Sequence, residues 1–148
     1  MATYQSVTKG DVIDVAPHLE RARRALSAAE LLLREDYLPD AVARAHQSTV
    51  HAERALLATE KRSPATAWSV HRLATNHFHQ PGQVPGEHLA RIEALAELRV
   101  RVDEQPAGGA DGDVAARALD TARDFLADVT RFVVAAGYLE EPAQEEAS

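Results

Sequence analysis

Residues Ala43 to Leu57 read Ala-Arg-Ala-His-Gln-Ser-Thr-Val-His-Ala-Glu-Arg-Ala-Leu-Leu, and the fold of the whole chain turns on them. Ala41, Ala45, Ser48, Ala52 and Leu56 recur at spacings of three and four, so small or apolar side chains form one stripe along a helix. Small side chains let a second helix approach closely. Arg44, His46, His51 and Arg54 flank the stripe, an unusual polar set for a helix that must also be central.

The helix belongs to a chain of 148 residues, enough for one domain with a real core. Aromatic residues make up only 5% and hydrophobic residues 45%, so the core must be built from Ala, Leu and Val, which favours closely packed helices over sheets. With no cysteine, disulfides, thiolate catalysis and cysteine-ligated metals are excluded. Met1 to Gly10 lacks the apolar run of a signal peptide, and no stretch reaches the roughly 20 apolar residues of a membrane span. A cytoplasmic protein with no membrane partner is expected. The net charge of −7 argues against a broad nucleic-acid surface. Four of those charges, however, sit together at Glu140, Glu141, Glu145 and Glu146, so a local arginine-lined groove is compatible with the composition.

Working outward in both directions, Leu19, Ala22, Leu26, Ala29 and Leu33 predict a first long helix from Pro17 to about Glu35. Pro39 forces a break, and the second helix is predicted from Asp40 to about Lys61, on the order of 30 Å long. A short third helix is expected over Ala65 to Asn76, with Trp68, Leu73 and Val70 inward, before a loop holding Pro81, Gly82, Pro85 and Gly86. A fourth starts near Glu87, with Leu89, Ile92, Leu95 or Ala96, Arg99 and Val102 on its inner face. After a glycine-rich loop, Asp113 opens the last helix, whose stripe of Ala118, Ala122, Phe125, Val129, Phe132 and Ala136 ends at Gly137. The predicted class is all-α, an antiparallel up-down bundle of four long helices plus one short helix, without strands. Residues 1–15 form an arm, 16–137 the bundle, and 138–148 an acidic tail expected to be disordered.

The second helix resembles the HEPN (higher eukaryotes and prokaryotes nucleotide-binding) superfamily, in particular its small free-standing bacterial members. That family often shows Asp-Ala-x-x-Arg-Ala, then aromatics, then His-Ala-x-x-Ala-Leu-Leu. The matching residues are Asp40, Ala41, Arg44, Ala45, His51, Ala52, Ala55, Leu56 and Leu57, with His46 and Gln47 in place of the aromatic pair. The resemblance implies a homodimer with an interfacial groove and roles in RNA cleavage, toxin–antitoxin pairs, phage defence or partnership with a small nucleotidyltransferase. Ribonuclease members carry an Arg followed by four to six residues and a His. By its place in the chain Arg99 matches that Arg, but Glu104, Gln105 and Pro106 occupy the positions where the His would fall. Cleavage needs groups that take and give protons, and arginine is a poor proton shuttle, so a binding role for Arg99 survives while the usual catalytic pair is broken.

Arg44, His51 and Arg99 are therefore the candidate nucleotide-, RNA- or partner-binding residues, expected to converge, with no histidine completing the usual cleavage pair beside Arg99. Two other pairs meet the bare Arg-to-His spacing, Arg72 with His77 and Arg44 with His51, and the former is the catalytic candidate if cleavage uses a displaced His. Seven histidines make such coincidences expected, and residues ending a helix are the plainer reading. His71, His77, His79 and His88 could be drawn as a metal site, but their spacing fits no zinc pattern, so neither a metal nor a cofactor is expected. The arginines of the first helix alternate with acids as a solvated face does. Three functions remain in contention: a non-catalytic or atypical binding dimer, a metal-independent ribonuclease toxin, and a purely structural dimerisation module.

Overall fold

The computed structural model describes residues 5–6, 15–105 and 110–140. Among the described residues, five α-helices make up the bundle: α1 (Val15–Arg34), α2 (Leu38–Ala58), α3 (Ala67–Ala74), α4 (Glu87–Glu104) and α5 (Gly112–Ala135). Helix α2 is the centre, since it alone packs extensively against all four others among the described residues. Its small-residue stripe faces α1, and the two backbones come close enough for Ser48 Oγ to donate to the Ala22 carbonyl at 2.8 Å. Ala22, Ala25 and Ala29 of α1 are buried along this seam. The all-α class expected from the composition is the fold observed.

Local chemistry explains the helix ends. Asp36 adopts a left-handed φ of 63° after α1, and Tyr37 N–H reaches back to the Leu32 carbonyl, closing the turn before Pro39 in the first turn of α2. The α2 helix thus starts two residues earlier than the proline suggests, because the first turn tolerates a residue with no N–H. Asp111, rather than Asp113, caps α5 by accepting from Val114 N–H at 2.9 Å. Gly137 takes a φ of 82° at its far end, as its sequence position predicts.

Four expectations are corrected. Trp68 is 72% exposed, because Val70 and Ala74 occupy the inner face of α3 and Trp68 points the opposite way under Arg72. On α4 the buried face is His88, Ile92, Leu95, Leu98 and Val102, which leaves Arg99 at its rim. The packed body extends past Gly137: Leu139 is buried in the core, and Leu139–Glu140 pair antiparallel with Gln5–Ser6, a two-residue strand contact the sequence did not signal. The expected disorder of the acidic tail lies, for 141–148, outside the described residues. Finally, α3 does not stop at Asn76 but runs into a π-helical turn, Thr75–His79, closed by Gln80 N–H to the Thr75 carbonyl at 2.9 Å.

That turn positions side chains. His71 and His79 are eight residues apart, which on a regular α-helix leaves them about 80° out of phase. A turn closed one residue later absorbs the excess, so eight residues make about two full turns and both rings face α2. Phe78 enters the core with His79 and meets Phe132 edge-on, ring centres 5.7 Å apart.

Candidate functional site

Where α2 meets α4, Arg44 and Arg99 line an open pocket of about 490 Å³ together with Leu32, Asp40, Ala43 and Gln47. Arg44 projects from the solvent side of α2 and donates to Gln47 Oε1 at 2.9 Å. Arg99 Nε lies 3.5 Å from Asp103 one turn along α4, and its Nη1 lies 3.3 Å from Nδ1 of His46. Guanidinium has donors only, so His46 Nδ1 accepts and the imidazole carries its proton on Nε2. Burial lowers the His46 pKa below 6.5 and the Arg99 charge lowers it further, which keeps the ring neutral near pH 7. Of the five N–H donors of Arg99, those not turned to Asp103 and His46 remain for a ligand.

The sequence-derived residues divide at this point. Arg44 and Arg99 share the pocket. His51 does not join them: it lies two turns further along α2, half-buried against α1, where burial and then His18, Arg54 and Arg21 lower its pKa. A histidine that does not belong to the usual pair, His46 of α2, stands beside Arg99. Its signal was its position on the flank of the α2 stripe, but only the fold brings it to a residue 53 positions later. Arg72 and His77 are not assembled as a pair. The Arg72 guanidinium lies over the Trp68 ring at 5.2 Å, and His77 Nδ1 is 3.1 Å from Glu60 Oε1.

The four histidines drawn as a metal site also separate. His88 Nε2 faces Asp128 Oδ2 at 2.5 Å, whereas His71 and His79 converge on Glu53, which sequence reading passed over. His71 Nδ1 lies 2.9 Å and His79 Nε2 3.0 Å from the same oxygen, Oε2 of Glu53. Glu53 is 1% exposed. Burial pushes its carboxyl pKa up, but the hydrogen bonds and charges of His71 and His79 outweigh that and hold it below 4.5. The Glu53 bond in turn raises His71 above 6.5 against the opposing effect of burial, with Glu93 adding to the rise. The only sequence signal for Glu53 is its place in a second α2 stripe, Val42, His46, Thr49, Glu53 and Leu57, beside the small-residue one.

A further groove of about 450 Å³ between α4 and α5 is lined by Leu95, Leu98, Ala118 and Thr121 with Arg101 and Arg117 at its edges. It contains none of the candidate site residues Arg44, His51, Arg72, His77 and Arg99.

A central helix that meets a second one over an arginine-lined, solvent-open pocket defines the class as an all-α helical bundle. More particularly, residues 15–132 match the family model of the HEPN domain, and the chain belongs to that family. No curated protein and no solved structure matches the chain. Among the described residues no helix is long and apolar enough to cross a membrane.

Proposed function

We propose that this HEPN-domain protein binds the phosphate of a nucleotide or of single-stranded RNA in the Arg44–Arg99 pocket, as a cytoplasmic homodimer of a toxin–antitoxin or defence system. A partner antitoxin or small nucleotidyltransferase fits that setting. The observation that carries the reading is the meeting of two guanidinium groups from α2 and α4 on one open pocket, with N–H donors of Arg99 left over. Two arginines can grip a phosphate through several charge-assisted hydrogen bonds at once. Asp40 and Asp103 hold the resting charge in check, and a bound anion meets the Arg99 donors that Asp103 and His46 leave over.

The test is fluorescence anisotropy of a labelled single-stranded RNA at fixed salt. Arg99→Ala should weaken binding about tenfold or more, the scale of one lost charge-assisted contact. Equal affinity would remove Arg99 from the site.

A second reading, RNA cleavage at the same pocket, is favoured by the His46–Arg99 contact. If Arg99 swings onto a phosphate, the Nδ1 lone pair of His46 is freed to take a 2′-hydroxyl proton. The leaving oxygen then needs a second proton donor, and the described pocket lining itself holds no histidine, His46 reaching the site only through Arg99, which places binding ahead of cleavage. Incubation with bulk RNA separates the two. Cleavage abolished by His46→Ala supports catalysis, and intact RNA rejects it.

A further inference from the structure

The Glu53–His71–His79 cluster is built from three elements, α2, α3 and the π turn, whose register serves to align its two rings. Its three facing donor atoms all lie within 4.8 Å of one another. Two imidazoles and one carboxylate form a ligand set that suits Zn²⁺ and neighbouring first-row divalent ions rather than Mg²⁺ or Ca²⁺, which prefer all-oxygen sites. We propose that Glu53 Oε2, His71 Nδ1 and His79 Nε2 bind one divalent transition-metal ion of the Zn²⁺ type.

The distances are close to those such an ion needs. Metal–ligand bonds of about 2.0–2.1 Å in tetrahedral geometry separate the donor atoms by about 3.3 Å. The observed separations of 2.9 and 3.0 Å to Oε2 therefore have to open by only a few tenths of an ångström. Three protein ligands leave a fourth position for water, the arrangement of an open rather than a sealed site. The surroundings match as well. Metal-bound histidines hand their second ring nitrogen to a carboxylate, and His71 Nε2 has Glu93 Oε1 at 3.6 Å. His79 is fixed by stacking on Phe125, ring centres 5.5 Å apart and planes 26° apart. An ion can enter from the solvent side, because the side chains of His71 and Glu93 are 29% and 55% exposed while Glu53 and His79 form the closed floor.

The other candidate group, Glu87, His88 and Asp128, is less suited. The Arg131 guanidinium already contacts Asp128, so its carboxylate has a cation partner on the other oxygen.

The experiment uses the full chain, stripped with a chelator and titrated with Co²⁺, read by visible absorption, and with Zn²⁺, read by calorimetry and thermal unfolding. One ion per chain is expected, with a raised unfolding temperature in Zn²⁺ and visible Co²⁺ bands of low coordination number. His71→Gln, altering the most exposed ligand, should lower Zn²⁺ affinity about 100-fold. X-ray absorption of the Zn²⁺-loaded wild type should show two imidazoles and oxygen donors, which needs no variant to fold. No uptake of either ion overturns the site and leaves Glu53 in a hydrogen-bonded ion pair only. Binding that survives His71→Gln but is lost in His77→Gln or Glu87→Gln overturns it in favour of a surface position.

Discussion

His46 and Glu53 stand two turns apart on one face of α2, and each engages side chains from later in the chain, yet the surroundings differ in kind. At His46 the partner is Arg99, 39% exposed at its side chain and open to a pocket. At Glu53 the partners are His71 and His79, and the carboxylate is sealed from water. Opening to solvent weakens an ion pair and leaves its donors free to exchange partners, whereas enclosure makes every unmet hydrogen bond costly. One helix thus carries a cluster that can release its contacts to a ligand and another that the fold cannot lose.

The contrast is sharpest in stability. Glu53→Ala leaves two rings converging on nothing and should cost about 3–5 kcal/mol, lowering the unfolding temperature on the order of 10 °C. Arg99→Ala, at the rim, should change stability by no more than about 0.5 kcal/mol. Urea unfolding of both variants checks this, and a loss at Arg99 matching that at Glu53 would erase the distinction.

Acidity separates the regions next. Glu53, with its pKa lowered in the fold, contributes stability that is full above 4.5 and is lost as pH falls through its folded value. His71, with its pKa raised, contributes stability that is full below 6.5 and is lost as pH rises through its folded value. Their combined contribution is therefore greatest between 4.5 and 6.5. His46 works the other way: its lowered pKa gives stability that is full above 6.5 and declines as pH falls. The difference in unfolding free energy between wild type and His71→Gln cancels His46 and His51. It should be about 1–3 kcal/mol near pH 5.5 and shrink at alkaline pH. A difference independent of pH would show that the His71 charge plays no part.

The smallest effect concerns the π turn. If it is a single residue accommodated in an otherwise α-helical run, deleting exposed Asn76 leaves His71 and His79 seven residues apart, again about two turns. Such a deletion should cost less than about 1 kcal/mol, while a loss as large as that of Glu53→Ala would mean that the turn does more than set phase.

How much of this was legible in the chain follows from the same residues. The alanine stripe of α2 and the Phe125 stripe of α5 were readable because small and apolar side chains repeat in helical phase, and proline and glycine marked the loops. Arg99 was readable from its place in the family pattern. Its neighbour His46 was not, because a contact across 53 positions depends on how two helices cross. Glu53 was missed because a charged residue on a helix normally faces water, and the two rings that make its burial tolerable come from outside that helix. The eight-residue spacing of His71 and His79 reads as out of phase unless the π turn is known. Trp68 misled through its size, since Arg72 lying over its ring gives it a partner at the surface.

The most direct measurement is the affinity of folded Arg99→Ala for single-stranded RNA, taken beside its unfolding temperature on the same sample. The expected result is an unfolding temperature close to wild type with affinity reduced about tenfold or more. Wild-type affinity in that variant would contradict the assignment of the open cluster on α2 and α4 as the ligand site.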